Sequence, residues 1–411
     1  MVVFKHIIML QSICFNRIIL IMEELLFQYN PWWEEQFTLE NIIIREKYLK
    51  ILKDNIDNKH IIFLTGLRRV GKTTLMKLII KDLLQKNINE KNILYVSVDD
   101  YLLKNKNLFE IIDEFKKLHR IKFEEKIYVF FDEITYQKEY HQQLKNLYDK
   151  MNIKIFATSS SSSLLKDKKA FLTGRSFTLE VKPLDFEEYK FFKNIEVKQR
   201  DKSLNESYFR DYMRDGGLPE NVLNPNREYL MNLVDDIIQK DITAFHGLKN
   251  HQIVRDYYTL LMERSGKQLS INKIANILKI SPDTSRRYLY YFEETFLIHL
   301  LPRWGKTNEK ILSSKKIYAC DLGIKHLFMG ERDLGSYFEN YIYLKLRNKK
   351  EVYYLYEGGN EIDFITSDQI LIESKYNAEI KGKQKELFEN FEAKQRILID
   401  SVNKLHLLDE I

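Results

Sequence analysis

Two groups of residues carry the chemistry this chain could perform. The first is Gly66-Leu67-Arg68-Arg69-Val70-Gly71-Lys72-Thr73-Thr74. Glycines at its first and sixth positions free the backbone to curl N–H groups around a phosphate, and a helix opening there adds the positive end of its dipole. In such a loop Lys72 reaches the β- and γ-phosphates of a nucleotide and the Thr73 hydroxyl holds Mg²⁺, so every residue from Gly66 to Thr74 is a candidate for ATP contact. Downstream, Asp132 would orient the Mg²⁺ shell. Glu133 beside it would polarise an attacking water, which implies hydrolysis rather than transfer to a second substrate. Thr158 and Ser160 offer hydroxyls to the γ-phosphate, although a solvated serine-rich loop would read the same way.

The second group is Asp363, Glu373 and Lys375. Asp363 and Glu373 fall inside apolar runs, where a buried and unpaired carboxylate costs several kcal/mol, so each needs a partner or a metal. Nine residues separate Asp363 from Glu373-Ser374-Lys375, a spacing by which adjacent strands bring two carboxylates and an ammonium together. The two acids would hold Mg²⁺, and Lys375 would orient or activate the water attacking a phosphodiester. A site that binds without cutting and an ordinary charged hairpin carry the same signature, and all three stand open.

Elements must position these groups. Residues 61–65 read as a β-branched strand leading into the glycine loop, and 75–84 as the helix after it. Residues 126–131 form a run, apolar from Ile127 onward, that ends at Asp132, as expected of a central strand buried on both faces. Residues 92–98 and 154–157 add two more strands, with helical stretches between, which predicts a parallel α/β sheet. Asp215-Gly216-Gly217-Leu218-Pro219-Glu220 reads as a tight turn between helices. Residues 253–262, 271–278 and 283–294 read as three helices, the last two capped by Ser270 and by Ser281-Pro282, and 296–301 as a strand. This pattern is similar to a winged helix whose second helix presents Thr284, Ser285, Arg286 and Arg287 to DNA, or which packs as a lid. Strands are expected at 316–321, 361–365 and 370–375, with Glu339 on a helix over 336–347. Trp32-Trp33 either staples the amino-terminal segment to the sheet or stacks on adenine.

The order of five segments makes a family resemblance specific. These are the loop at 66–74, Phe130-Phe131-Asp132-Glu133-Ile134, Ala157-Thr158-Ser159-Ser160-Ser161, Leu172-Thr173-Gly174-Arg175, and Pro183-Leu184-Asp185-Phe186-Glu187-Glu188-Tyr189. Together they resemble the AAA-type predicted ATPases of archaea and bacteria. The resemblance implies a P-loop core with an AAA+-like parallel sheet, a γ-phosphate sensor at Thr158 or Ser160, and an arginine finger or sensor arginine at Arg175. Family members usually read Thr-Gly-Ser where this chain has Thr158-Ser159-Ser160, so which hydroxyl senses stays open. The family also carries Gly-Gly-Leu-Pro-Glu where its second half begins and ends in a restriction-endonuclease-like domain, often with a decayed site; Glu339 matches the extra helix acid of that fold, and the resemblance implies that it joins Asp363 and Glu373 as a Mg²⁺ ligand.

The expected organisation is an extension or mis-assigned start at 1–21, the ATPase domain at 22–190, a helical linker or lid at 191–250, a winged-helix-like domain at 251–312 and a nuclease-like α/β domain at 313–411. Composition agrees: 411 residues are too many for one core, 44% hydrophobic with 30% charged is a folded balance, and the few Gly (14) and Pro (6) favour helices. Two cysteines exclude a disulfide framework, and +6 on so long a chain is compatible with DNA without arguing for it. Lys5 and Arg17 interrupt the apolar amino-terminal stretch short of a bilayer span. The chain is expected to be cytoplasmic, to bind ATP, to act on DNA or on a protein partner, to form a homo-oligomer if Arg175 works in trans, and to need no membrane.

Overall fold

The computed structural model describes residues 22–162, 172–347 and 349–411; the expectation for residues 1–21 lies outside them. Two compact units divide the chain. One holds residues up to Gly66 and from Gly71 to Val181; the other holds Leu67–Val70 and Lys182–Ile411.

In the first unit, β1 (Ile61–Thr65), β2 (Ile93–Ser97), β3 (Ile127–Asp132), β4 (Ile153–Ser159) and β5 (Ser176–Glu180) form one sheet in the order β2-β3-β4-β1-β5, with every pair parallel. β1, β3 and β4 are buried along their whole length, which is why their sequences run apolar without alternation. Phe130 stacks on Phe156 across the β3–β4 pair at 4.7 Å. The order places the carboxyl ends of β3, β4 and β1 side by side, where an open α/β sheet binds its ligand.

The amino-terminal segment closes against β2. The Asn30 side chain donates to the carbonyl of Tyr95 (2.9 Å) and accepts from its N–H (2.6 Å). The indoles of Trp32 and Trp33 both donate to the carbonyl of Ile93, at 3.3 and 3.0 Å, and Trp33 stacks on Phe115. Ile93 opens β2, at the sheet edge opposite the loop that follows β1. The tandem tryptophans are therefore the staple and do not stack on adenine.

The second unit opens with helices Phe186–Phe192, Lys202–Asp215 and Arg227–Asp236. Gly217 donates its N–H to the Asp321 carboxylate at 2.6 Å and accepts at its carbonyl from Leu184 N–H at 2.6 Å. A β-carbon on Gly217 would meet the Leu184 oxygen at 2.1 Å, so only glycine fits this part of the turn. Helices His251–Met262, Ile271–Leu278 and Pro282–Glu294 follow, with Ser270 and Ser281 accepting from backbone N–H groups as caps. β6 (Ile298–Leu301) then pairs antiparallel with β7 (Lys316–Ala319). The expected boundary at 312/313 thus runs through a two-stranded ribbon. A last sheet, β11-β10-β9-β8, comprises β8 (Val352–Glu357), β9 (Asn360–Thr366), β10 (Ile370–Ser374) and β11 (Gln395–Ile399).

Candidate functional site

The glycine loop turns through three left-handed residues, Gly66 (φ +142°), Arg69 (φ +67°) and Gly71 (φ +97°), before the helix Lys72–Gln85 begins. Such alternation points successive N–H groups to one side and builds an anion-binding concavity. Lys72 is buried and its ammonium donates to Gly66 O (2.9 Å) and to Ser160 Oγ (3.1 Å). The lysine therefore lies along the loop, with the end of β4 as its second support.

Asp132 is the hub. Its Oδ2 accepts from Thr73 Oγ1 and from the Tyr95 hydroxyl, both at 2.7 Å, and its Oδ1 accepts from Thr158 Oγ1. Glu133 sits at φ +52° just past β3, a left-handed conformation that turns its side chain out of the strand's alternation. Its N–H donates to Thr158 Oγ1 at 2.9 Å, and its carboxylate accepts from Ser160 Oγ (2.7 Å) and Ser160 N–H (3.2 Å). Lys72, Thr73, Asp132, Glu133, Thr158 and Ser160 thus form one connected network. Both sensor candidates belong to it: Thr158 touches the Asp132 carboxylate and the Glu133 N–H, and Ser160 touches the Glu133 carboxylate and Lys72. A hydroxyl–carboxylate pair such as Thr73–Asp132 is an all-oxygen donor set that fits a Mg²⁺ ion keeping its other ligands as water and phosphate.

Two expected residues point elsewhere. Arg68 makes two N–H···O bonds of 2.5 Å to Asp241, so its guanidinium is committed to a carboxylate. Arg175 accepts at its carbonyl from Ile61 N–H, at the beginning of β1, and its guanidinium pairs with Asp149 at 3.0 Å. The five-residue β1 separates it from the phosphate loop by roughly 15 Å. A sensor role for Arg175 within its own chain is corrected by this placement.

Tyr95 was missed by sequence reasoning. Burial and the neighbouring Asp132 push its phenol well up, so it stays a donor. The signal was there: a tyrosine in a fully apolar strand needs a partner for its hydroxyl.

In the second unit, β9 and β10 bring Asp363, Glu373 and Lys375 together. Asp363 accepts from Ser374 N–H (3.0 Å) and Ser374 Oγ (2.6 Å) and donates its own N–H to Glu373 Oε2 (3.1 Å). Glu373 Oε1 also receives Gln384 Nε2 and Lys375 Nζ, both at 2.8 Å. Burial, then Asp363, push Glu373 up to about 8. Glu339 is held by Lys316 Nζ and the Tyr318 hydroxyl, each at 2.6 Å, and burial pushes it up to about 7. The Lys316 ammonium further meets Glu361 at 2.7 Å and Asp363 at 3.6 Å. Among the described residues no group of three acids, histidines or cysteines is arranged to hold a metal ion. Glu339, Asp363 and Glu373 share a neighbourhood, but Glu339 Oε1, Asp363 Oδ2 and both Glu373 oxygens accept from protein donors, and the Lys316 ammonium lies beside Glu339 and Asp363; as arranged, they do not fit Mg²⁺.

On the helix Pro282–Glu294, Arg286 and Arg287 are exposed. Ser285 is fully buried, bonded to the Tyr257 hydroxyl at 3.0 Å and to Ile271 O at 3.3 Å. It ties its own helix to the two before it, which corrects the expectation that it faces DNA.

Comparison with known proteins places this site. Residues 58–190 match the model of an AAA domain, and residues 206–334 match that of a domain of unknown function. An uncharacterized protein of Methanocaldococcus jannaschii is 29% identical over 394 residues, covering 90% of this chain and 87% of that protein. One of Haemophilus influenzae is 27% identical over 351 residues, covering 80% of this chain and 86% of its own. Among solved structures, AMPPCP-bound DnaA from Aquifex aeolicus aligns at a TM-score of 0.29 with 16% identity, covering 62% of this chain and 91% of that one. Drosophila ORC bound to AT-rich DNA and Cdc6 aligns at 0.24 with 13% identity, covering 70% and 91%. The family match over residues 58–190 shows that the chain carries an AAA-type domain, and the strand order and phosphate loop above are its P-loop core. Among the described residues no helix is long and apolar enough to cross a membrane.

Proposed function

We propose that the chain binds and hydrolyses ATP with Mg²⁺, and that nucleotide state switches the behaviour of its second unit toward a partner. The observation that carries the first part is the unbroken network from Lys72 and Thr73 through Asp132 and Glu133 to Thr158 and Ser160. When bound, Mg²⁺ would be held by Thr73 and Asp132 and would offset phosphate charge. Lys72 and the loop N–H groups bind the β- and γ-phosphates. Glu133, released from Ser160, holds the proton-accepting oxygen beside the γ-phosphate where water attacks. Arg175 would serve only a second copy, as a finger in trans within a homo-oligomer.

Purified wild type is tested beside Lys72→Ala and Glu133→Gln for nucleotide binding and phosphate release. The expected result is loss of binding in Lys72→Ala, and retained binding with hydrolysis reduced by about a hundredfold or more in Glu133→Gln. Phosphate release by Glu133→Gln at the wild-type rate would remove Glu133 from catalysis.

For the second unit the favoured reading is a catalytically silent, nuclease-like domain serving a nucleotide-controlled switch, supported by the Lys316 ammonium lodged among the acids. The rival is metal-dependent cleavage of DNA, with Arg286 and Arg287 docking the duplex. Support for it is the meeting of Asp363, Glu373 and Lys375 on adjacent strands. Incubating plasmid with wild type and Asp363→Asn separates the two: nicking that disappears in the variant would install the rival.

A further inference from the structure

Lys316 opens β7, outside the sheet that carries Asp363 and Glu373, yet its side chain ends among their neighbours. Only 1% of that side chain is exposed. An ammonium has three N–H bonds to place. Here two go to Glu339 Oε1 (2.6 Å) and Glu361 Oε1 (2.7 Å), and Asp363 Oδ1 lies at 3.6 Å on the third side. Three carboxylates from one helix and one strand therefore converge on a single positive atom, which is the arrangement a bound cation would command.

The surroundings are finished around that atom. The Tyr318 hydroxyl donates to the same Glu339 oxygen at 2.6 Å. Gln268 Nε2 holds the other oxygen of Glu361 at 2.9 Å, and Ser374 holds the second oxygen of Asp363. Glu373, the remaining acid, has its own cation in Lys375. A metal shared by Glu339, Glu361 and Asp363 would need oxygens at about 2.0–2.6 Å from its centre, in the space the ammonium fills. Two like charges in one desolvated pocket exclude each other.

We propose that Lys316 is the resident cation of this acidic centre, standing in place of a divalent metal. The centre is neutralised from within, and the free chain takes up no divalent ion there. This rests on the reading of the second unit as catalytically silent and adds the residue responsible. It also explains why acids inside apolar strands are retained without metal chemistry: their charge fastens β7 to β9 and to the helix Leu334–Leu346.

The test is Mn²⁺ binding to the full chain without nucleotide, followed by electron paramagnetic resonance, for wild type, Asp363→Asn, Lys316→Met and the Lys316→Met, Asp363→Asn double variant. Wild type and Asp363→Asn should bind Mn²⁺ identically. Lys316→Met should gain a site at least tenfold stronger than any in wild type, lost again in the double variant. A wild-type Mn²⁺ site that Asp363→Asn abolishes would overturn the proposal. Should Lys316→Met not fold, the wild type and Asp363→Asn pair decides alone. Such an Asp363-dependent Mn²⁺ site in wild type without plasmid nicking would sink this inference and leave the silent reading intact; nicking would sink that reading as well.

Discussion

Gly66 and Gly71 both serve the phosphate loop, but the structure separates what each is for, and alanine at either position tests the separation. At Gly71 an added β-carbon has no heavy atom within 4 Å, so Gly71→Ala bears only the cost of φ +97°. Holding a non-glycine residue in so sparsely populated a region costs about 1–3 kcal/mol. At Gly66 the φ is +142°, and the β-carbon would also lie 2.0 Å from the Val181 carbonyl oxygen and 3.1 Å from its carbon. That backbone is pinned, because Val181 N–H donates to Thr65 O at 2.7 Å. Steric overpacking of about 1–3 kcal/mol adds to the strain, giving about 3–5 kcal/mol for Gly66→Ala against about 2 for Gly71→Ala. In a unit of this size 1 kcal/mol moves the melting midpoint by about 2–4 °C. At about 3 °C per kcal/mol, Gly71→Ala should therefore lose about 6 °C and Gly66→Ala about 9–15 °C. Trp32 and Trp33 lie in the first unit and Trp304 in the second, so tryptophan fluorescence with heating, read in a Trp304→Phe background, reports the first unit's transition. Equal losses in the two variants would refute the clash with Val181.

Three further outcomes are expected. Tyr95→Phe removes a buried donor to Asp132 Oδ2 and should cost about 1.5–3 kcal/mol while weakening Mg²⁺-dependent ATP binding; an unchanged melt and unchanged binding would show Asp132 to be positioned by Thr73 and Thr158 alone. Burial pushes the His119 imidazole down to about 4 from its ordinary 6.5, and its Nε2 has no hydrogen-bond partner. The folded chain therefore rejects a proton the unfolded chain accepts, so this stability is complete above pH 6.5 and lost as pH falls toward 4. Discounted for partial exposure the loss is about 2 kcal/mol, and the acid limb of melting against pH should flatten in His119→Phe. Arg286→Ser with Arg287→Ser should leave stability within about 0.5 kcal/mol, and if this helix lies on DNA should lower affinity with a salt slope reduced by about 2; unchanged DNA affinity would exclude the helix from contact.

What the sequence made legible follows from how local each signal was. The phosphate loop, Asp132 and Glu133 stand in contiguous motifs, and β1 through β4 announce themselves by apolar runs. β5 was passed over because Ser176-Phe177-Thr178-Leu179-Glu180 alternates, as a half-exposed edge strand does, rather than running apolar like its neighbours. Lys316 read as the polar flank of an apolar strand; its partners lie at positions 339, 361 and 363, and no spacing in one dimension brings them together. Ser285 shows the converse failure. The resemblance to a winged helix suggested that Thr284, Ser285, Arg286 and Arg287 together face DNA, but one residue of rotation on a helix is enough to send a hydroxyl into the core. Arg175 was placed by its motif and not by the direction of β1, which carries the two ends of the strand to opposite sides of the sheet.

The packing of Asn30, Trp32 and Trp33 on β2 reaches beyond the tryptophan staple. In the parallel β2–β3 ladder, alternate residues of β2 bond to β3, which leaves Ile93 and Tyr95 facing outward. Their free groups are the ones the Asn30 amide and the two indoles engage. A side-chain amide here does the work of another strand's backbone, and it ends the sheet. No strand from a second molecule can be added at this margin without first displacing that segment. Growth of the sheet into fibres or swapped dimers is thus blocked at β2 by about four side-chain hydrogen bonds, and a chain shortened past Trp33 would regain that capacity.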